Sequence, residues 1–150
     1  MRNECHYPFK ELCGAGIVFK VCVEILKEYT LLTDDLHNEL ISFAAFATVC
    51  DVVNLIGENR YIATKGILAL RRTKNIGLNS LIEVSGVNKN QIDTYHLGFI
   101  LGPRFNASGR LDTASLGIEL LITDDSIKAD LIAMELNDLN EERKSMTEDA

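Results

Sequence analysis

The chain has few of the features that anchor, cross-link or catalyse. Its four cysteines, Cys5, Cys13, Cys22 and Cys50, show neither Cys-x-x-Cys spacing nor a paired His-x-x-x-His partner. That argues against a zinc ribbon, and the chain's size and apolar content argue against a disulfide framework. Reduced thiols are expected instead. The longest apolar stretch, Leu40 to Val53, is interrupted by Asp51 and falls short of the ~20 residues that span a bilayer. Met1 to Pro8 contains no apolar signal-peptide core, so a soluble, cytoplasmic protein without a membrane partner is expected. There is no repeat, low-complexity tract or glycine–serine linker, no Asp-x-Asp for a two-metal centre, and no Ser/His/Asp or Cys/His nucleophile arrangement. Taken as a self-contained enzyme, the chain lacks a complete catalytic set.

What remains is ordinary for a globular protein: 150 residues, 47% hydrophobic and 25% charged. This is enough for one domain with a real core. The net charge of −7 disfavours nucleic acid until its distribution is considered. Residues 1–59 carry four basic and nine acidic side chains, residues 60–110 eight basic and two acidic, and residues 111–150 three basic and eleven acidic. A basic middle between acidic flanks suits either a phosphate-tracking surface or a face neutralised within the fold.

The periodicity is mostly helical. Ile17 to Leu26 reads as a buried helix, although its β-branched residues leave a strand possible. Gly14 and Gly16 before it fit close packing better than a phosphate loop. Asp34 or Asp35 caps a helix with apolar positions Leu36, Leu40, Phe43, Ala44 and Ala47. Further helices are expected from Glu58 to the basic turn Arg71–Lys74, over Leu78–Val84, over Tyr95–Leu101 behind Asp93, and over Leu116–Ile122. Thr123-Asp124-Asp125 then opens a long polar helix with apolar positions Ile127, Leu131, Met134 and Leu139. A helix so polar suits a connector between domains.

Two places carry chemistry. In the first, Gly102-Pro103 is expected to stop a helix, with Asp112 capping the next. Arg104, Asn106, Ser108 and Arg110 then lie in an inter-helix loop suited to an anion such as phosphate. The alternative is that an arginine there ties the loop to a carboxylate or carbonyls. In the second, Asp51 interrupts Val49-Cys50 and Val52-Val53. A buried carboxylate must be hydrogen-bonded, paired or metal-bound, so Asp51 is either a turn residue accepting backbone amides or a ligand for a hard cation such as Mn²⁺ or Mg²⁺. His6, His37 and His96 lie in no ligand spacing.

Four blocks occur in order: Pro8-Phe9-Lys10-Glu11-Leu12-Cys13-Gly14-Ala15-Gly16, Ala47-Thr48-Val49-Cys50-Asp51-Val52-Val53, Gly57-Glu58-Asn59-Arg60, and Pro103-Arg104-Phe105-Asn106-Ala107-Ser108-Gly109-Arg110-Leu111. Together they resemble the RecJ-type single-strand-specific 5′→3′ DNA exonucleases of the DHH phosphoesterase family. The resemblance implies a mainly α chain that is the helical C-terminal part of an α/β DHH catalytic domain (residues 1–122). Residues 123–150 would begin a long connector helix to a DHH-associated domain. The family's first motifs would precede Pro8. By the same resemblance, Asp51 is the last metal-binding aspartate of a two-metal Mn²⁺ or Mg²⁺ centre. Arg110 contacts substrate phosphate, and Arg104, Ser108 and Asn106 are weaker phosphate or loop-shaping residues. Cys50 and Asn54 depart from the family's usual small residue and proline. The implied partners are single-stranded DNA and the rest of the longer protein, without which the chain should be inactive. Two alternatives stand beside this reading. One is a DHH phosphodiesterase for short oligonucleotides or cyclic dinucleotides, and the other a non-catalytic helical interaction module.

Overall fold

The structure, a computed structural model, describes residues 6–109 and 114–148, with the side chains of 108, 109, 114, 147 and 148 excepted. Its α-helices are α1 (Gly14–Glu28), α2 (Asp34–Cys50), α3 (Gly57–Leu70), α4 (Ile76–Val84), α5 (Gly102–Gly109), α6 (Ala114–Ile122) and α7 (Ser126–Glu148). A 3₁₀ turn (Lys89–Gln91) and a π-helical turn (His96–Leu101) complete the described elements. No strand occurs among the described residues, which settles the helix-or-strand question at residues 17–26. The chain divides into two compact units, Met1–Ala69 and Leu70–Ala150.

In the first unit, Cys13 caps α1, its Sγ accepting from the Gly16 amide and lying 3.3 Å from Thr48 Oγ1. Thr33, rather than Asp34 or Asp35, is the N-cap of α2; its Oγ1 accepts from Leu36 N at 3.2 Å, and the two aspartates occupy the first turn, where the helix dipole favours them. The core gathers Phe19, Val23, Ile41, Ala44, Ala45 and Ile62. In α2 the buried residues are Ile41, Ser42, Ala44, Ala45 and Thr48; of the expected Leu36, Leu40, Phe43, Ala44 and Ala47, Ala44 is buried and Leu40 packs against the core, while the most buried face is turned toward Ala45. The cause is close approach: a Cβ on Gly66 of α3 would sit 2.2 Å from Ala45 Cβ and 2.3 Å from Ile41 O. Two backbones this near admit only small residues between them. α1 is helical but not buried as a whole, since Ile17, Val18, Val21 and Ile25 are all exposed.

In the second unit, Asn75 caps α4 with Oδ1 on Leu78 N at 2.9 Å, and its Nδ2 donates to Leu121 O of the α6 end at 2.9 Å. Asp93 caps the next helical segment through His96 N, and Asp125 caps α7 through Ile127 N and Lys128 N. α7 packs on α4, α5 and α6. It buries Ala129, Ile132, Ala133, Leu136 and Asn140 and leaves the expected stripe, Ile127, Leu131 and Met134, exposed. The buried face sets Ala129 and Ala133 beside Ile132 and Leu136, and its small residues allow the closer approach.

Gly102-Pro103 does not end a helix. The chain runs from the π-helical turn straight into α5, so residues 103–109 are helical where a loop was expected. Pro103 stands in the first turn of α5, where a missing amide donor costs little. Gly102 adopts helical φ −58°, ψ −45°. A residue before proline ordinarily avoids that region because its Cβ meets the proline ring, and glycine has no Cβ.

Candidate functional site

α2 ends at Asp51, whose amide donates to Ala47 O at 2.8 Å; Val52 N then donates to Val49 O at 3.1 Å. Val52 lies in the left-handed region, φ 54°, and is 88% exposed. A β-branched residue in that conformation is a genuine outlier, and such strain is of order 1–3 kcal/mol. No burial of the Val52 side chain offsets it. Asp51 itself is exposed at the C-terminal cap of α2, while Thr48 before it is fully buried, Val49 and Cys50 are half-buried and Val52 after it is exposed. Among the described residues the Asp51 carboxylate accepts no hydrogen bond, so the turn-forming alternative finds no partner there. Burial first, and the Asp51 charge second, push the adjacent Cys50 thiol up to about 11. Cys50 is therefore a neutral thiol at physiological pH.

The strained turn is fastened from behind by the start of α3. Gly57 has φ 49°, and a Cβ there would lie 2.7 Å from the Phe9 ring. Glu58 accepts from Tyr7 Oη at 2.7 and 2.9 Å and pairs with Lys20, whose ammonium also lies 5.0 Å over the Tyr7 ring. Lys20 and then Tyr7 lower the Glu58 pKa, and Glu58 raises that of Lys20. Asn59 is fully buried; its Nδ2 donates to Glu11 O at 2.8 Å and to Asn54 O at 3.0 Å. Nothing in the residue types assigned a role to Gly57, Glu58 or Asn59. A usable signal was present, since Asn59 begins the buried stripe Asn59, Ile62, Ala63, Gly66, Ile67 and Leu70 of α3. A polar residue at a buried helical position needs a partner.

Arg104, expected as a weaker phosphate or loop-shaping residue, follows the alternative in which an arginine there is tied to carbonyl oxygens. It is 7% exposed, with Nε donating to Asn137 Oδ1 at 3.1 Å and Nη1 to Ile100 O. It thus ties the π-helical turn to α7, and burial lowers its pKa, with Glu141 opposing. Asn106 is exposed on α5. Ser108 lies in α5 with its side chain outside the described residues, and Arg110 and the proposed cap Asp112 lie outside them altogether.

The basic middle segment is partly internal. Arg71 donates twice to Ile92 O, at 2.9 and 2.7 Å, and Lys89 donates to Thr73 O at 2.8 Å and to Asn79 Oδ1. Arg60, Lys65 and Arg72 are exposed. Among the described residues no three His, Cys, Asp or Glu side chains converge as a cation site, and no helix is long and apolar enough to cross a membrane. Asp51 supplies one oxygen donor of the kind hard cations take.

No protein-family model matches the chain. It is 43% identical over 142 residues to the single-stranded-DNA-specific exonuclease RecJ of Bacillus subtilis strain 168, an alignment covering 95% of this chain and 17% of that protein. The crystal structure of RecJ in complex with Mn²⁺ from Thermus thermophilus superimposes with a TM-score of 0.82 at 29% identity, covering 93% of this chain and 20% of that one. The corresponding Mg²⁺ complex gives 0.83 at 30% identity, covering 94% and 22%. The chain thus spans about a fifth of each of these three chains. In sequence and in backbone, nearly the whole of it is similar to one segment of RecJ, as the four ordered blocks implied.

Proposed function

We propose that this chain is the helical C-terminal part of the DHH catalytic domain of a RecJ-type exonuclease that hydrolyses single-stranded DNA from the 5′ end. The observation that supports this best is Asp51: an exposed carboxylate, free of hydrogen bonds among the described residues, on a strained turn that the start of α3 fastens. An exposed, unbonded carboxylate beside the left-handed Val52 suits a ligand awaiting a cation better than an aspartate that stabilises its own turn. Asp51 fits one ligand position for Mn²⁺ or Mg²⁺, and the remaining ligands would come from chain outside this segment. When bound, two such ions supply an activated water and charge stabilisation for the leaving oxygen. Arg110, with Ser108 and Asn106 beside it, would hold substrate phosphate. The later part of α7, within residues 123–150, would lead toward a further domain.

On this reading the isolated chain does not degrade single-stranded DNA in Mn²⁺, because one carboxylate does not hold two ions. In a full-length enzyme carrying this segment, Asp51→Asn weakens Mn²⁺ binding in a calorimetric titration while the melting temperature is retained. Mn²⁺-dependent nuclease activity of the purified isolated chain, abolished by Asp51→Ala, would overturn the proposal. So would an Asp51→Asn enzyme with unchanged metal affinity. Faster turnover of dinucleotides than of long strands by the full-length enzyme would point to the oligonucleotide phosphodiesterase instead.

A further inference from the structure

Asn59 sits where a hydrophobic residue would complete the buried stripe of α3. Its Nδ2 group links two loops distant in sequence: Glu11 O, before α1, and Asn54 O, three residues past Asp51. Ile56 N also donates to Asn54 O, at 2.9 Å, so Asn54 O is the point where the turn closes on itself and on α3. Asn54 Nδ2 reaches Glu11 Oε2 at 3.3 Å, a second tie between the same two loops. Gly57 admits the Phe9 ring against the backbone on the other side of the turn.

The arrangement is costly. Asn59 Oδ1 is buried and has no hydrogen-bond partner among the described residues. A desolvated acceptor left unpaired works against folding, and a leucine of similar size would avoid it. Val52 adds its left-handed strain two residues before Asn54, the Asn59 partner. Two unfavourable features converge on one short turn, and the group exposed at its head is Asp51.

We infer that Asn59 is a positioning residue for Asp51, clamping the 51–56 turn to the loop before α1 so that the carboxylate is held in one orientation for its cation. The inference rests on the reading of Asp51 as a metal ligand. Asn59 touches neither cation nor substrate. It acts through the backbone of Asn54, and its loss frees the turn without removing any ligand.

The test uses a full-length enzyme carrying this segment, in three forms besides the parent: Asn59→Leu, Asp51→Asn, and Ile62→Val as a core control one helical turn further along α3 that removes no hydrogen bond to the turn. Amide hydrogen exchange over residues 52–56, Mn²⁺ affinity by calorimetry and melting temperature are read for each. Loss of the two Nδ2 bonds is expected to raise exchange at 52–56 and to weaken Mn²⁺ binding, each by about 10-fold. Ile62→Val should lower the melting temperature with neither change. Asn59→Ser, which retains a shorter donor, should fall between Asn59→Leu and the parent, and it carries the test if the leucine variant does not fold. If Asn59→Leu and Asn59→Ser leave both exchange at 52–56 and Mn²⁺ affinity at the control's level, the clamp is wrong. If exchange rises but Mn²⁺ affinity holds while Asp51→Asn abolishes binding, the positioning role is overturned and the ligand reading stands. Unchanged affinity in Asp51→Asn sinks the ligand reading itself, and the positioning role with it.

Discussion

Val52 and Asn59 are tolerated at a cost, and the cost measures how firmly the Asp51 turn is specified. A left-handed conformation is disfavoured for an ordinary L-residue by roughly 1–2 kcal/mol and is nearly free for glycine, which loses part of that advantage through greater unfolded-state entropy. Val52 is 88% exposed, so little packing is lost by removing its side chain. Val52→Gly should therefore stabilise the chain by about 0.5–1 kcal/mol in urea unfolding. A loss of stability would mean that the valine side chain makes contacts its exposure does not suggest. Asp51 was legible as an odd residue in an apolar run, and it stands exposed where that helix ends. The left-handed Val52 and the buried Asn59 behind it were not legible, because both depend on how the turn packs on α3.

At the scale of elements, most helices were readable because caps and periodicity agree. Asn75, Asp93 and Asp125 each place a side-chain oxygen on amides one turn ahead. The buried faces were less readable. The buried faces of α2 and α7 mix one or two large side chains with small ones, Ile41 with Ala44 and Ala45, and Ile132 and Leu136 with Ala129 and Ala133. Glycine and alanine at crossings set how near two backbones come, and that distance is a tertiary quantity. The helix through Gly102-Pro103 was missed for a related reason, since proline is read as a stop unless the residue before it has no Cβ. The α4–α6 crossing shows how tight these contacts are: a Cβ on Gly77 would lie 1.8 Å from Leu120 O. Gly77→Ala offers slightly better helix propensity, yet it must push α4 and α6 apart. It should destabilise the chain by about 2–3 kcal/mol, as overpacking in a close-packed interior does. A neutral or stabilising result in thermal unfolding would show that the crossing can open without loss.

Across the whole molecule, net charge conceals two populations of arginine, one internal and one available to a ligand. Arg104 belongs to the first, because its guanidinium is bonded to Ile100 O and Asn137 Oδ1 in the interior of the second unit. Arg110 lies outside the described residues, and its assignment rests on the Ser108-Gly109-Arg110 block and on likeness to RecJ. The two arginines are close in sequence, and sequence reasoning grouped them as one anion-binding loop, but opposite behaviour is expected of them in a full-length enzyme. Arg104→Ala leaves buried acceptors unpaired and should lower stability by about 2–3 kcal/mol, while single-stranded-DNA affinity per folded molecule is kept. Arg110→Ala should leave the melting temperature nearly unchanged and weaken DNA binding about 10- to 150-fold, the value of a charge-assisted phosphate contact. It should also lower the salt dependence of binding by about one released counterion. Arg110→Lys should restore only part of the loss, because an ammonium keeps the charge without the planar fork. Thermal melts together with binding titrations over a range of salt would separate the two. A large stability loss with normal DNA affinity in Arg110→Ala would place Arg110 beside Arg104 among the struts and leave the phosphate contact to other residues.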